Sequence, residues 1–173
     1  AGIKEAQGKV EEALALYEKS LAIWEALAEE LQTPESLRDL SISYENVAGI
    51  KEAQGKVEEA LALYEKSLAI WEALAEELPT PRSRRGLSVS YHKIAGIKEA
   101  QGKAEEALAL YEKSLAIGEA LVEELQTSGS RRDLFVSYHK VAGIKEAQGK
   151  SEEALALYEK SLAIAEALAE ELP

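Results

Sequence analysis

The sequence predicts an all-α fold, an α-solenoid of stacked antiparallel helix pairs, and three observations support this prediction. The string AGIKEAQGK recurs every 47 residues, at Ala1, Ala48, Ala95 and Ala142, and the string EEALALYEKSLAI follows each copy. Within each period, apolar residues recur at steps of three and four, which places them on one face of a helix. Alternation of apolar and polar residues never persists, so no strand is expected. A tandem array of helical repeats follows.

The first helix of each repeat, called helix A, is predicted from about Pro34 to Gln54. Thr33 supplies an N-cap hydroxyl, and the ring of Pro34 suits the first helical position. Thr80 and Thr127 hold the same place in later repeats, the second of them without a proline. A glycine is expected to end each A helix in a left-handed conformation. These glycines are Gly8, Gly55, Gly102 and Gly149.

The second helix, called helix B, is predicted from about Lys56 to Leu78 and carries two apolar stripes side by side. In the first copy, one stripe consists of Leu14, Tyr17, Leu21, Trp24, Ala28 and Leu31, and the other of Ala13, Leu16, Ser20, Ile23 and Leu27. An apolar face this wide must contact two neighbouring helices.

The repeats divide the chain into a single predicted array spanning residues 1–173. It consists of a partial repeat at 1–31 and repeats at about 32–78, 79–125 and 126–173. The chain has no methionine, so we expect a piece of a larger protein or a consensus design. Both ends fall inside a repeat and are expected to leave one apolar face of a B helix uncovered, which favours head-to-tail stacking.

Composition excludes several classes of function. The chain has no cysteine, which removes disulfides, cysteine-based zinc sites and thiol nucleophiles. Its net charge of -12 repels the phosphate backbone, so nucleic-acid binding is not expected. No run of about 18 apolar residues occurs, so we expect no membrane span and a cytoplasmic protein. No phosphate-binding glycine loop, HExxH motif or catalytic triad is recognisable, so we expect neither an enzyme nor a cofactor.

Two helices per unit with a glycine at the turn resemble the tetratricopeptide repeat. That family has an aromatic residue and a leucine in helix A, then a glycine at the turn. Helix B has an alanine followed by an aromatic residue, a small residue and a leucine at fixed spacing. The counterparts in the second repeat are Tyr44, Val47, Gly55, Ala60, Tyr64, Ser67 and Leu68. The resemblance covers the chain four times and implies a right-handed superhelix. Its departures include Ala48, Lys51 and Ser67, and the 47-residue period is similar to that of the family's long-repeat branch.

The resemblance places helix A on an inner, concave wall where partners dock. The predicted groove positions are Ile42, Glu45, Asn46, Gly49, Val89, His92, Lys93, Gly96, Val136, His139, Lys140 and Gly143. The copies differ most at these positions and in the preceding linker. In some family members an asparagine that grips a ligand carboxylate stands where the three glycines stand here, so that clamp is absent. Close packing of a neighbouring helix, or of a ligand backbone, would explain glycine inside these helices.

Basic residues concentrate near two A helices, where they could form a strip that favours an acidic peptide or a C-terminal carboxylate. They are Arg82, Arg84, Arg85, His92 and Lys93, followed one repeat later by Arg131, Arg132, His139 and Lys140. The alternative is ordinary solvated surface. The two histidines occupy equivalent places and could face one groove, but no third ligand is evident, so no metal site is expected.

One column of helix B changes from large to small along the array. It consists of Trp24, Trp71, Gly118 and Ala165. If the column packs between units, the third and fourth repeats are expected to be looser there.

Two functions remain open. The first is a non-catalytic scaffold that binds a peptide or protein segment in the concave groove of the A helices. The second is a structural spacer or a rod that associates head to tail through its uncapped ends.

Overall fold

The structure is a computed structural model that describes residues 2–171, with side chains from Gly8 onward. The described part contains seven α-helices and no strand, which confirms the predicted all-α class. The helices are α1 (Gly2–Leu31), α2 (Pro34–Ala53), α3 (Val57–Glu77), α4 (Pro81–Ala100), α5 (Ala104–Leu125), α6 (Ser128–Ala147) and α7 (Ser151–Glu170). Over the residues described, no helix combines the length and apolarity that a bilayer span requires. The chain forms two compact units, unit 1 (Ala1–Pro79) and unit 2 (Thr80–Pro173).

The threonines that precede the A helices cap them as predicted. At the start of α2, the backbone N–H of Ser36 donates to Thr33 Oγ1, and the backbone N–H of Thr33 donates to Ser36 Oγ, each over 3.1 Å. Two of the free N–H groups at the helix start are thereby satisfied. Thr80 forms the same reciprocal pair with its third neighbour, and the Thr127 hydroxyl caps α6 although no proline follows it.

The glycine turns between helices A and B are confirmed at three of the four predicted positions. Gly55 has a φ of +76°, and Gly102 and Gly149 adopt nearly the same angle. Beside Gly55, the N–H of Lys56 donates to the carbonyl oxygen of Lys51 over 2.9 Å, which closes the end of α2.

The predicted stop at Gly8 is wrong, because α1 runs unbroken from Gly2 to Leu31. Residues 1–7 by themselves are too few to form a separate helix with its own nucleus and packing partner. Continuing the helix satisfies the backbone, at a cost of about 1 kcal/mol for an internal glycine.

Unit 1 buries part of one apolar stripe of its first B helix, while Tyr17 and Leu31 of that stripe are 43% and 53% exposed. Leu14, Leu21 and Ala28 of α1 pack with Leu40, Tyr44 and Val47 of α2 in one core cluster. Leu16 and Ile23 of the other stripe are 67% and 60% exposed. Their counterparts one repeat later, Leu63 and Ile70 of α3, pack against the same core. The second stripe is therefore covered where a repeat has its own A helix.

Unit 2 repeats this arrangement through α4, α5, α6 and α7. Its core cluster contains Ala95, Ala107, Leu108, Tyr111, Val141 and Ile144. At α7, Leu155 and Leu162 are each 58% exposed, although Leu108, the counterpart of Leu155, is buried. Among the described residues, the apolar stripe that is covered by an A helix on α5 is therefore exposed on α7.

The glycines inside the A helices face a tyrosine of their own repeat. A Cβ built on Gly49 would lie 3.6 Å from Tyr64 Oη, and one on Gly96 would lie 3.6 Å from Tyr111 Oη. These are ordinary van der Waals distances, so the packing of helix A on helix B has room for a methyl group.

We therefore expect Gly49→Ala to raise the free energy of unfolding by up to ~1 kcal/mol, because alanine is the better residue inside a helix. Denaturant titration followed by circular dichroism measures this change. Gly55→Ala is the matched control and should lower the free energy of unfolding by about 1 kcal/mol or more, because its φ is positive. Equal losses in the two variants would show that the Tyr64 hydroxyl cannot tolerate the methyl group.

Candidate functional site

The predicted groove residues lie on α2 in unit 1 and on α4 and α6 in unit 2. All twelve are exposed or half-buried, so each of these residues is accessible from solvent. Ile42 and Val136 are 42% and 44% exposed although both are apolar.

In unit 1, Glu45 serves the packing of its own repeat. The Ser67 hydroxyl donates to Glu45 Oε1 over 2.8 Å, and the indole N–H of Trp71 donates to the same oxygen over 3.2 Å. Ser67 and Trp71 are both buried on α3. This carboxylate therefore pairs two buried polar groups, as a folded protein requires. Ile42 and Asn46 remain on the exposed side of α2.

In unit 2, His92 occupies the place of Glu45, 47 residues further on. Its ring meets the ring of Tyr111 nearly edge to face, with 4.8 Å between the centroids. Lys140 reaches the same tyrosine from α6, since its Nζ lies 5.7 Å from the ring centroid. Lys140 also lies 3.1 Å from Glu99 Oε2, which accepts a hydrogen bond from the Tyr111 hydroxyl over 2.9 Å.

This environment favours the neutral form of His92, although Glu99 and Asp133 act in the opposite direction. Burial lowers the pKa of His92 below its usual 6.5, and the positive charges of Lys140 and Lys93 lower it further. A neutral imidazole has one unprotonated ring nitrogen, which accepts a hydrogen bond. His92 can therefore act as an acceptor in the groove.

A cavity of about 420 Å³ lies between α4, α5 and α6. Its walls include four of the predicted groove residues, Val89, His92, Lys93 and Val136, and Gly118 and Leu121 of α5 also line it. None of the groove positions predicted from the sequence lies on α5. A signal for the contribution of α5 was present in the sequence, because the helix B column has glycine at position 118 where the first two repeats have tryptophan.

Most of the basic residues near the cavity are held in ion pairs. Arg85 Nε lies 2.6 Å from Asp133 Oδ2, which joins α4 to α6. Arg84 pairs with Glu124, and Arg131 with Glu171. The strip suggested by the sequence is thus interrupted by carboxylates, and Lys93 and His139 remain exposed.

Each histidine ring contacts the tyrosine of its own repeat, His92 with Tyr111 at 4.8 Å and His139 with Tyr158 at 5.4 Å between centroids. His139 also contacts Phe135 at 4.6 Å. In the part of the chain that the structure describes, no group of three or more histidine or carboxylate side chains is arranged to hold a metal ion.

The sequence matches family models described as tetratricopeptide repeat, one over residues 39–120 and again over 86–167, another over residues 2–30. No curated protein matches the chain.

Solved structures of similar fold include three that match over more than 90% of this chain. BtubC (BKLC) from P. vanneervenii has a TM-score of 0.74 and 21% identity, over 96% of this chain and 60% of that one. MamA has a TM-score of 0.55 and 18% identity, over 96% and 95% of the two chains. A variant of a putative kinesin light chain with nearly identical TPR-like repeats, from Podosopora anserina, has a TM-score of 0.50 and 25% identity, over 92% and 88%.

The neutral state of His92 leads to a pH prediction. An NMR titration of its ring should give a midpoint below 6.5, and Lys140→Gln should raise that midpoint because it removes a neighbouring positive charge. The unfolded chain titrates near 6.5 and binds more protons below that pH, so the free energy of unfolding should fall as pH drops through this range. A midpoint at or above 6.5 would contradict the buried, neutral ring.

Proposed function

Because the chain belongs to the tetratricopeptide repeat family, whose members are generally protein-interaction scaffolds, we propose that it binds a peptide or protein segment on the surface formed by α4 and α6. The protein acts as a non-catalytic scaffold in this proposal. The observation that carries it is the cavity of about 420 Å³ between these helices, which opens among the residues that differ most between repeats.

Two ion pairs that join α4 to α6 support a preformed binding surface. Arg85 of α4 pairs with Asp133 of α6, and Glu99 of α4 pairs with Lys140 of α6. Buried tyrosines and serines hold the A helices on the B helices behind them. A partner therefore meets walls that are already ordered, and little of the binding free energy is lost in ordering this side of the complex.

The chemistry of the surface favours a segment with apolar and acidic side chains. Val89 and Val136 present apolar atoms to the cavity, and Lys93 adds an exposed positive charge beside them. The rest of the chain is strongly acidic, so Lys93 marks a place where a carboxylate meets attraction instead of repulsion.

A selection from a random peptide library on the purified protein, followed by fluorescence anisotropy, tests this function. Lys93→Glu should weaken the selected peptides about 3- to 10-fold, a change on the order of 1 kcal/mol for a charge at the edge of an interface. Lys103→Glu is the matched control, since it makes the same charge change on an exposed residue just before α5. The proposal fails if no peptide is enriched, or if both variants weaken binding equally.

The exposed stripes on α1 and α7 favour self-association as a second function. Leu16 and Ile23 of α1 and Leu155 and Leu162 of α7 are each more than half exposed. Apolar faces of this kind are covered by A helices elsewhere in the chain, so a second copy could cover them. Contact between α7 of one copy and α1 of the next is heterologous and can propagate into a rod or spacer.

Sedimentation over a range of concentrations distinguishes this second function. The mean mass of the wild-type protein should rise with concentration, and Leu162→Glu should keep it monomeric by placing a charge in the contact. Ala163→Glu adds the same charge to a neighbouring exposed residue and should still associate. A wild-type protein that stays monomeric at every concentration excludes the rod.

A further inference from the structure

In unit 1, the helix B position that borders the cavity in unit 2 is occupied by tryptophan in both repeats. Trp71 is only 5% exposed, and its indole N–H donates to Glu45 Oε1. Trp24 is partly buried and packs against the core cluster that contains Leu40 of α2. In both repeats of unit 1, a tryptophan indole therefore fills the space beside this position of helix B.

In unit 2 the same position is Gly118 in the third repeat and Ala165 in the fourth, so neither has an indole there. On one side α6 contacts this position, since a Cβ on Gly118 would lie 3.4 Å from Leu134 Cδ1. Leu134 is the counterpart of Leu40, against whose cluster Trp24 packs. A cavity of about 420 Å³ nevertheless remains beside Gly118, so this contact does not fill the space that a tryptophan would take.

The size and lining of the cavity suit an aromatic side chain. An apolar cavity of about 150 Å³ is enough to hold benzene, and ligand pockets generally start at about 300 Å³. Val89, Leu121 and Val136 supply apolar surface, and Ser88 and Ser114 add a hydroxyl pair 2.9 Å apart. Nine of the fifteen lining residues are polar or charged, but most of the surface that they expose to the cavity is apolar. Such a surface matches an indole, which has broad apolar faces and a single N–H donor.

The hydrogen-bond acceptor that unit 1 gives its indole also has a counterpart. His92 lines the cavity at the place of Glu45, which accepts the Trp71 N–H in the second repeat. A neutral histidine can accept the same bond. Lys93, exposed at the rim, adds a positive charge that complements a carboxylate next to the entering aromatic group.

We propose that the cavity beside Gly118 binds a tryptophan side chain of a partner peptide, flanked by an acidic residue, in the position that Trp24 and Trp71 fill within unit 1. This inference rests on the proposed function, because the partner enters through the surface of α4 and α6. The site is particular to the third repeat, whose B helix has glycine where the first two have tryptophan.

Titration of the intact protein with free indole, followed by amide NMR shifts, tests the cavity without any peptide. Saturable shifts should be confined to residues that line the cavity, such as Val89, Gly118 and Leu121. Gly118→Trp should weaken indole binding at least 10-fold by filling the space, because the contact at 3.4 Å is with the end of a flexible leucine. No saturable shifts in the wild-type protein would overturn the inference.

A second variant keeps the test valid if Gly118→Trp fails to fold. Val136→Trp places a large side chain at the exposed rim and should also weaken indole binding at least 10-fold. Val10→Trp is the matched control, because Val10 is exposed to nearly the same extent, 42% against 44%, and lies on α1 in unit 1. Equal indole binding by the Val136→Trp and Val10→Trp variants would overturn the inference.

Competition separates this inference from the proposed function. Selected peptides should contain tryptophan next to an acidic residue, and N-acetyl-tryptophanamide should displace them from the protein. Peptides that bind through α4 and α6 but lack an aromatic residue and resist displacement would overturn the inference and leave the proposed function standing. Indole binding with no selected peptide would overturn the proposed function and the peptide as partner. Sedimentation of the indole-sensitive complex as a dimer of this chain would likewise overturn the peptide as partner.

Discussion

The width of the apolar face on helix B is the constraint on which the rest of the structure depends. Two adjoining stripes cannot be covered by one helix, so each B helix needs an A helix on both sides. Where an A helix is present, side chains such as Leu14 and Leu63 are covered, and where none is described, Leu16 and Leu155 lie open. Burial of one repeat therefore depends on its neighbours, which is the basis of stability in repeat proteins.

Polar contacts hold each A helix on the B helices around it, and they account for several residues that all copies share. Tyr64 is buried, and its hydroxyl donates to Glu52 over 3.0 Å within the same helix pair. Burial and this carboxylate raise the pKa of Tyr64. Lys51, which departs from the family pattern, lies 2.8 Å from Glu59 and 3.3 Å from Glu18 and so links three helices. The strings that repeat without change thus serve packing, and the proposed binding surface lies among the A-helix positions that vary.

The serine column at the close contact of the two helices shows how single substitutions change a repeat. The Ser67 hydroxyl donates to Glu45, and the Ser114 hydroxyl pairs with Ser88. Ser161 is fully buried and its hydroxyl has no hydrogen-bond partner. Phe135 stands in its repeat where Ser88 stands in the one before. Each repeat therefore has its own polar arrangement behind the candidate surface, although the backbone pattern is constant.

Much of the fold could be predicted from the sequence, because the signals that set it are local. Threonine caps act within four residues, and the left-handed turn at Gly55 depends on that residue's missing side chain. The spacing of apolar residues likewise needs only one helix to be recognised. The prediction failed at Gly8, where the outcome depends on whether a second helix is present to pack. It also missed Gln32 and Gln126, which end two B helices in a left-handed conformation.

The candidate site depended on distant contacts, so the sequence could predict only part of it. The family resemblance indicated which positions on helix A line a groove, and the change from tryptophan to glycine at 118 was visible in the sequence. Only the tertiary structure decided that Glu45 is engaged by Trp71, that Arg85 pairs with Asp133, and that a cavity remains beside Gly118. Local periodicity determines the helices, whereas side-chain pairing and unfilled volume arise only when residues tens of positions apart come together.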